Sequence, residues 1–222
     1  MQLHAVIVPP PTVVEDAFEA ARALLPEAPV AAEEPTPGRL GRFLGRRQPP
    51  PPPMPVVSMV PAEPAAVFIR LAKFGNVTVT DAEGLAAALQ VVARNWQVPI
   101  LRASTFAVAA AHPFDVTAQL DGDLDALGDI FANVNEVARV QRFFLDRRSF
   151  RAELFLGTIE TPDGAPTPEV AGAELEHQGP QWSPTHITLL RTSFSDGGTT
   201  FAEYARVELA DAAEDLGART GA

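Results

Sequence analysis

The prolines of this chain are unevenly distributed, and their distribution limits which residues can build a packed domain. Twelve of the 22 prolines lie between residues 26 and 64, where the periodicity of helices and strands also disappears. A segment of this composition buries too little apolar surface to offset the entropy lost when a chain is ordered. We therefore predict one domain over residues 1–210, with a flexible proline-rich insertion at 27–64 and a polar tail at 211–222.

Outside the insertion, the hydrophobic periodicity alternates between that of strands and that of helices. The predicted strands cover residues 2–8, 67–74, 100–110, 114–120, 152–159, 185–194 and 200–209. The predicted helices cover residues 14–25 and 81–95, with a third that starts at Asp123 or Asp125. Because several short strands follow one another directly, this order indicates an α+β fold with antiparallel sheets and outer helices.

The chain has no cysteine, and its four histidines lack the spacing of known metal-binding motifs. We therefore expect neither a structural metal nor another cofactor. No apolar run approaches the roughly 18 residues of a membrane span, and the first residues lack the pattern of a signal peptide. The expected protein is cytoplasmic and does not enter a membrane.

The net charge of −11 and the isoelectric point near 4.8 restrict the partners of this protein. An acidic surface disfavours duplex nucleic acid, because that binding depends on a broad basic surface. A small nucleotide or the end of an RNA chain stays open as a ligand, since a local pocket needs only a few cations.

The insertion also contains a basic block that is followed by a polyproline tract at residues 49–53. Arg46, Pro49 and Pro52 match the spacing of ligands for polyproline-binding grooves, which predicts a protein partner. The alternative is a solvated insertion without a partner. We favour the alternative, because any arginine beside five prolines matches the pattern.

Four stretches carry a resemblance to a known family, and they occur in that family's order. The opening strand ends in three prolines, and residues 60–63 lead into the sequence FIRLAKFGNV at residues 68–77. Residues 148–156 read RSFRAELFL, and residues 182–209 form a closing hairpin. Together they resemble the 2′-5′ RNA ligase-like branch of the two-histidine (2H) phosphoesterases. The resemblance implies two pseudo-symmetric lobes of antiparallel sheet, with outer helices, around a central cleft.

Members of this superfamily carry two H-x-T-x motifs, one on the equivalent strand of each lobe. The tetrapeptide HITL at residues 186–189 has this pattern, but it lies in the closing hairpin. The four stretches instead align the first motif with Phe68 and Arg70, and the second with Glu153 and Phe155. We favour this alignment, because a motif at residues 186–189 leaves a whole predicted strand unexplained.

The resemblance implies a reaction in which one histidine removes a proton and the other donates one to the leaving oxygen. The threonines face the same side of their strands and donate hydrogen bonds to the phosphate. Phenylalanine carries no exchangeable proton, arginine keeps its proton, and glutamate repels a phosphodiester. We therefore expect a catalytically degenerate protein that acts as a binding or interaction module. The alternative is an active RNA 2′,3′-cyclic phosphodiesterase that uses His186 and Thr188, with His4 or another base.

The residues at the aligned motif positions have two interpretations. In the first, Phe68 and Phe155 fill the cleft, and Arg70 and Glu153 form a buried ion pair across the two lobes. In the second, Arg70 is retained as an anion-binding residue.

Further side chains are candidates for the cleft. Lys73 and Arg151 are additional candidates for anion binding. His4 lies on the strand face opposite its apolar neighbours, a position that faces the cleft of the implied fold. His186 is interpreted first as an ordinary strand histidine and only in the alternative as a catalyst.

Overall fold

The computed structural model describes residues 1–25, 58–145, 150–161, 167–195 and 198–210. The strands are β1 (Gln2–Ile7), β2 (Ser58–Pro61), β3 (Ile69–Asn76), β4 (Leu101–Val108), β5 (Phe114–Gly122), β6 (Glu153–Glu160), β7 (Glu174–Glu176), β8 (His186–Ser195) and β9 (Gly198–Glu208). The helices are α1 (Pro11–Arg22), α2 (Val79–Ala93) and α3 (Leu124–Val140), with a single 3-10 turn at Pro64–Ala66. No helix in these ranges combines the length and the apolar character needed to cross a membrane.

The strands form two antiparallel sheets, which confirms the predicted α+β class. Sheet A has the order β3-β1-β8-β9, and sheet B has the order β2-β6-β5-β4-β7. The strands β3 and β6 occupy corresponding places, one in each sheet. Each pairs with a strand, β1 or β5, that is followed along the chain by a helix, α1 or α3. This correspondence gives the two pseudo-symmetric lobes that the resemblance implies.

The two halves of the chain exchange strands between the sheets. The strand β2 comes from the first half but pairs with β6 in sheet B, while β8 and β9 come from the second half and extend sheet A beside β1. The prediction of a flexible insertion over 27–64 is therefore wrong at its C-terminal end, because backbone pairing with β6 holds residues 58–61 in a strand. The remainder of the insertion and the predicted tail at 211–222 lie outside the described residues.

The helices cover one face of each sheet. Helix α1 packs against β4, β5 and β6 of sheet B, whereas α2 packs against β9 and α3 against β3 of sheet A. Helix α2 starts at a capping box, in which the Thr78 hydroxyl accepts from the Asp81 backbone N–H at 3.1 Å and the Asp81 carboxylate accepts from the Thr78 N–H at 3.3 Å. The opposite faces of the two sheets line the central cleft.

Alternation along each strand separates the core from the cleft. On β1, the side chains of Leu3, Ala5 and Ile7 are fully buried in the main hydrophobic core. His4 and Val6 face the other way. This face of β1 is therefore part of the cleft wall.

Candidate functional site

The cleft face of sheet A brings the first aligned motif beside β1 and β8. Directly paired residues of antiparallel strands face the same side of a sheet, and two such rows cross β3, β1 and β8. The first row consists of Arg70, Val6 and Thr188, and the second of Lys73, His4 and Leu190. Two of the three anion-binding candidates therefore lie on one wall, next to a histidine.

Phe68, which is aligned with the first motif's histidine, is only 7% exposed. It packs with Val6 and Leu190 and is covered by Phe201 of β9, whose ring centroid lies 5.3 Å away in an edge-to-face arrangement. The register of the β8–β9 hairpin shifts next to Leu190, and β9 contacts the 3-10 turn that precedes Phe68. The closing hairpin thus lies over the motif position, which is part of a small hydrophobic cluster.

Arg70 is exposed on the same face, and its guanidinium carbon lies 6.0 Å from the centre of the Phe68 ring. This distance is typical of a cation–π contact. The predicted buried ion pair between Arg70 and Glu153 is wrong, because Arg70 is exposed to solvent. The Glu153 carboxylate instead lies 3.5 Å from Arg151, which is two residues away on the same segment.

The second aligned motif lies on the cleft face of sheet B. Glu153 pairs with Gln119 of β5, and Phe155 pairs with Thr117. The intervening residue of β6 and the one after Phe155 are fully buried in the core, so both motif positions face the cleft. Phe155 is 40% exposed. Of the two phenylalanines expected to fill the cleft, only Phe68 is buried by its neighbours.

A polar cavity of about 420 Å³ opens further along sheet B. It is lined by Arg102, Ser104, Thr105, Asp121, Glu176, His177 and Gln178. Thr105 pairs with Gln119, which places this wall on the same face as Glu153. The Arg102 guanidinium donates to the Asp121 carboxylate at 2.7 Å, and this hydrogen bond lowers the pKa of the carboxyl. Because both acidic and basic side chains line the cavity, it suits the hydroxyl or amide groups of a ligand better than a phosphate.

His4 is the most deeply buried titratable group of the cleft face, at 5% exposure. Burial lowers the pKa of its imidazole most, and the positive charges of Arg70 and Lys73 lower it further, to about 4. The imidazole is therefore neutral at neutral pH. Its Nδ1 atom is buried without a hydrogen-bond partner among the described residues.

His186 begins β8 and is half-buried, with its Nδ1 atom 2.9 Å from the Thr185 hydroxyl. Thr188 follows on the same face and is 2% exposed. The strand β8 belongs to the same sheet as β3, whereas β6 belongs to the other sheet. A second motif at His186 would therefore place both motifs on one wall.

Sequence reasoning missed Phe201 as the residue that covers the first motif position. Local periodicity predicts which residues form a strand, but it does not predict which distant strand a side chain contacts. The polar cavity was missed for a similar reason, because its lining comes from β4, β5 and the chain around β7. Across the described part of the chain, no group of three or more histidine, cysteine, aspartate or glutamate side chains is arranged to hold a metal ion.

No protein-family model and no curated protein matches this sequence, but solved structures match nearly all of it. Escherichia coli LigT complexed with NADP+ superposes with a TM-score of 0.61 at 15% identity, over 95% of this chain and 98% of that one. LigT complexed with 3′-AMP gives 0.58 at 14% identity, over 94% and 96%. TT0787 of Thermus thermophilus gives 0.59 at 15% identity, over 94% and 98%. The chain therefore has the LigT-like fold of the 2H phosphoesterases.

Proposed function

We propose that this protein, which has the LigT-like 2H phosphoesterase fold, binds a small nucleotide or an RNA end without hydrolysing it. The observation that carries this proposal is the burial of Phe68 beneath Phe201, at the position aligned with the first catalytic histidine. A phenyl ring neither accepts nor donates a proton. Its apolar neighbours also keep a charged substrate away from this position, because burying an unpaired charge is costly.

The second position supports the same conclusion. Glu153 lies beside Arg151, and a carboxylate repels the phosphodiester that a histidine would bind. Arg70, in the place of a threonine, keeps its proton throughout the accessible pH range. General acid–base catalysis contributes about 10²–10⁴-fold per step. Loss of both imidazoles therefore supports a protein with negligible turnover.

Groups suited to binding remain on both walls of the cleft. Arg70 and Lys73 provide positive charge on sheet A, and cations of this kind bind phosphate oxygens by charge-assisted hydrogen bonds. Phe155 on sheet B presents a ring that is 40% exposed, and exposed aromatic rings on sheets stack against nucleobases. LigT has been crystallised with 3′-AMP, with ATP and with NADP+. An adenine nucleotide is therefore the first ligand to test. Arg151 is a weaker candidate, because its charge is directed to Glu153.

Binding and turnover are measured separately. We expect isothermal titration calorimetry to show binding of 3′-AMP, and chromatography to show no product from 2′,3′-cyclic AMP. Phe155→Ala is expected to weaken binding about tenfold, since a stacked base contributes about 1–3 kcal/mol. Arg70→Ala is also expected to weaken binding about tenfold, since a hydrogen bond to a charged group contributes about 1.5–3 kcal/mol. The matched controls Phe144→Ala and Arg94→Ala remove exposed side chains outside the cleft faces and should leave the affinity unchanged. Absence of 3′-AMP binding by the wild type contradicts the proposal.

The second candidate function is hydrolysis of 2′,3′-cyclic phosphodiesters by His186 and Thr188. It is favoured by one observation, that Thr188 shares a row of sheet A with Val6 and Arg70, so both residues of the HITL pattern face the cleft beside a cation. Turnover by the wild type that is lost in His186→Ala would establish this function and overturn the first. Turnover that persists in His186→Ala points to a contaminating enzyme or to a catalytic site elsewhere in the protein.

A further inference from the structure

Two buried polar atoms on the cleft face of sheet A lack partners within the described ranges. They are Nδ1 of His4 and the hydroxyl oxygen of Thr192, in side chains that are 5% and 6% exposed. Leaving a buried polar group unpaired costs about 1–3 kcal/mol, and native proteins retain few such groups. These two lie on neighbouring strands of one face, so a single bound group could supply both hydrogen bonds.

The register of the strands places these two atoms close together. His4 pairs with Leu190, and Thr192 is two residues further along β8, opposite Gln2. The two side chains are therefore diagonal neighbours on one face, at a spacing of roughly 7–8 Å. Phe201 pairs with Thr192, and its ring centroid lies 6.2 Å from that of His4. The side chain of Phe201 is therefore a neighbour of both unpaired groups.

The charges around this position are positive. Lys73 pairs directly with His4 across β1 and β3, and it makes no ion pair with the part of the chain that the structure describes. Arg70 lies one row further along the same face. Further across the sheet, Glu203 lies opposite Leu190 on β9, and its carboxylate already accepts from Arg206 at 2.9 Å.

We propose that His4, Lys73 and Thr192 form a subsite for a tetrahedral dianion, the phosphate of the nucleotide, and that His4 is protonated when the subsite is filled. The subsite rests on the proposed nucleotide-binding function. Its groups donate hydrogen bonds and carry positive charge, so it disfavours a metal ion and favours an anion. It lies one row along the strands from Arg70, beyond the position where the aligned histidine would act.

Proton uptake follows from the surroundings of His4. The groups that face it are Arg70 and Lys73 on β3, Leu190 and Thr192 on β8, and Phe201 and Glu203 on β9. Burial and the two cations lower the pKa of the imidazole to about 4. A bound dianion offsets the two positive charges and accepts a hydrogen bond from the imidazolium, which raises that pKa. Binding therefore becomes tighter as the pH falls from neutrality towards 5.

Sulfate is the ligand for measuring proton uptake by the protein, because it stays a dianion over this pH range and takes up no proton itself. Titration of the full chain with sulfate at pH 6, in two buffers of different ionisation enthalpy, measures the protons taken up per site. We expect uptake of up to about one proton. His4→Gln should abolish the uptake and weaken sulfate binding about tenfold, the magnitude of a hydrogen bond to a charged group. Thr192→Val should weaken binding without abolishing the uptake, and the control His112→Gln should change neither.

A second measurement does not depend on any variant folding. The ¹⁵N resonances of the His4 imidazole report its protonation in the wild type, with and without saturating sulfate or 3′-AMP. A change from the neutral to the protonated pattern at pH 6 supports the subsite. Saturation without any change at His4, or proton uptake that persists in His4→Gln, overturns it. If 3′-AMP binds while His4 does not respond, the subsite is wrong and the proposed function stands; if 3′-AMP does not bind, the proposed function itself fails.

Discussion

The ring of Phe201 stands edge-on to the ring of Phe68, with 5.3 Å between the centroids and 79° between the planes. Phe68 immediately precedes β3, whereas Phe201 lies in the closing hairpin, so this contact joins distant parts of the chain. It places the aligned position of the first histidine under a hydrophobic cover. The side chain at residue 68 therefore contributes to the position of the closing hairpin over sheet A.

Phe68→Ala is expected to lower the free energy of unfolding by about 3 kcal/mol, because it leaves a cavity between Val6, Leu190 and Phe201. Phe155→Ala removes the same side chain from an exposed strand position, and we expect a loss below about 1 kcal/mol. Urea denaturation followed by tryptophan fluorescence measures both values. Equal losses in the two variants would show that Phe68 does not pack as described.

Introducing both motifs at the aligned positions is expected not to produce hydrolysis by itself. The fourfold variant Phe68→His, Arg70→Thr, Glu153→His and Phe155→Thr carries both imidazoles, but the first one remains covered by Phe201. We expect no hydrolysis of 2′,3′-cyclic AMP by this variant and measurable hydrolysis once Phe201→Ala is added. Activity of the fourfold variant with Phe201 in place would show that the cover does not limit access.

The protein should become less stable as the pH is lowered, because His4 is protonated more easily in the unfolded chain. The pKa of its imidazole is about 4 in the folded protein, against 6.5 for an unperturbed histidine. Between these values the unfolded chain binds more protons, so the free energy of unfolding decreases as the pH is lowered from 6.5 to 4, by at most about 3 kcal/mol. Above pH 6.5 both states are neutral at this residue, and the effect vanishes.

The measurement for His4 compares the wild type with His4→Phe in sulfate-free and phosphate-free buffers. Phenylalanine keeps an aromatic ring beside Phe201 but cannot be protonated. We expect the difference in unfolding free energy between the two proteins to change across this pH window and to be constant above it. A difference that stays constant from pH 4 to pH 8 would assign the acid sensitivity to other groups.

The close approach of β2 to β6 depends on Gly157. Its φ of +149° is unfavourable for other residues, and an added Cβ would lie 2.3 Å from the carbonyl oxygen of Val60. We expect Gly157→Ala to lower the free energy of unfolding by about 3 kcal/mol. Gly84→Ala is the matched control, because this helical glycine has open space around it and the change should stabilise α2 by about 0.5–1 kcal/mol. Thermal denaturation distinguishes the two, and a neutral Gly157→Ala would contradict the described pairing.

Much of the fold follows from local patterns in the sequence. The strand and helix order is local information, since apolar residues repeat at distances of two or about 3.6 positions. The pairing partners are not local. Strand β2 has only four residues, one of them Pro61, and β7 has three residues, two of them glutamates, so neither carries a recognisable strand pattern. Both are strands because a neighbouring strand supplies their hydrogen bonds.

The candidate site was also predictable from the sequence only in part. Alternation along β1 predicts that His4 faces away from its apolar neighbours, and the structure places it there. The predicted buried ion pair of Arg70 with Glu153 failed because Arg70 is exposed to solvent, and Arg151 is within reach of the Glu153 carboxylate along its own segment. The cover by Phe201 depends on how far a hairpin bends over a sheet, which no periodicity reports.

The exchange of strands between the two sheets has a consequence for how this molecule can change over time. Neither lobe is a complete unit, since sheet A needs β8 from the second half of the chain and sheet B gains β2 from the first. We expect the lobes to unfold together rather than one after the other. Backbone pairing between the two halves of the chain joins the walls of the cleft, and this pairing does not depend on particular side chains. Proteins with this fold can therefore change the residues at their catalytic positions during evolution and still keep the two paired sheets.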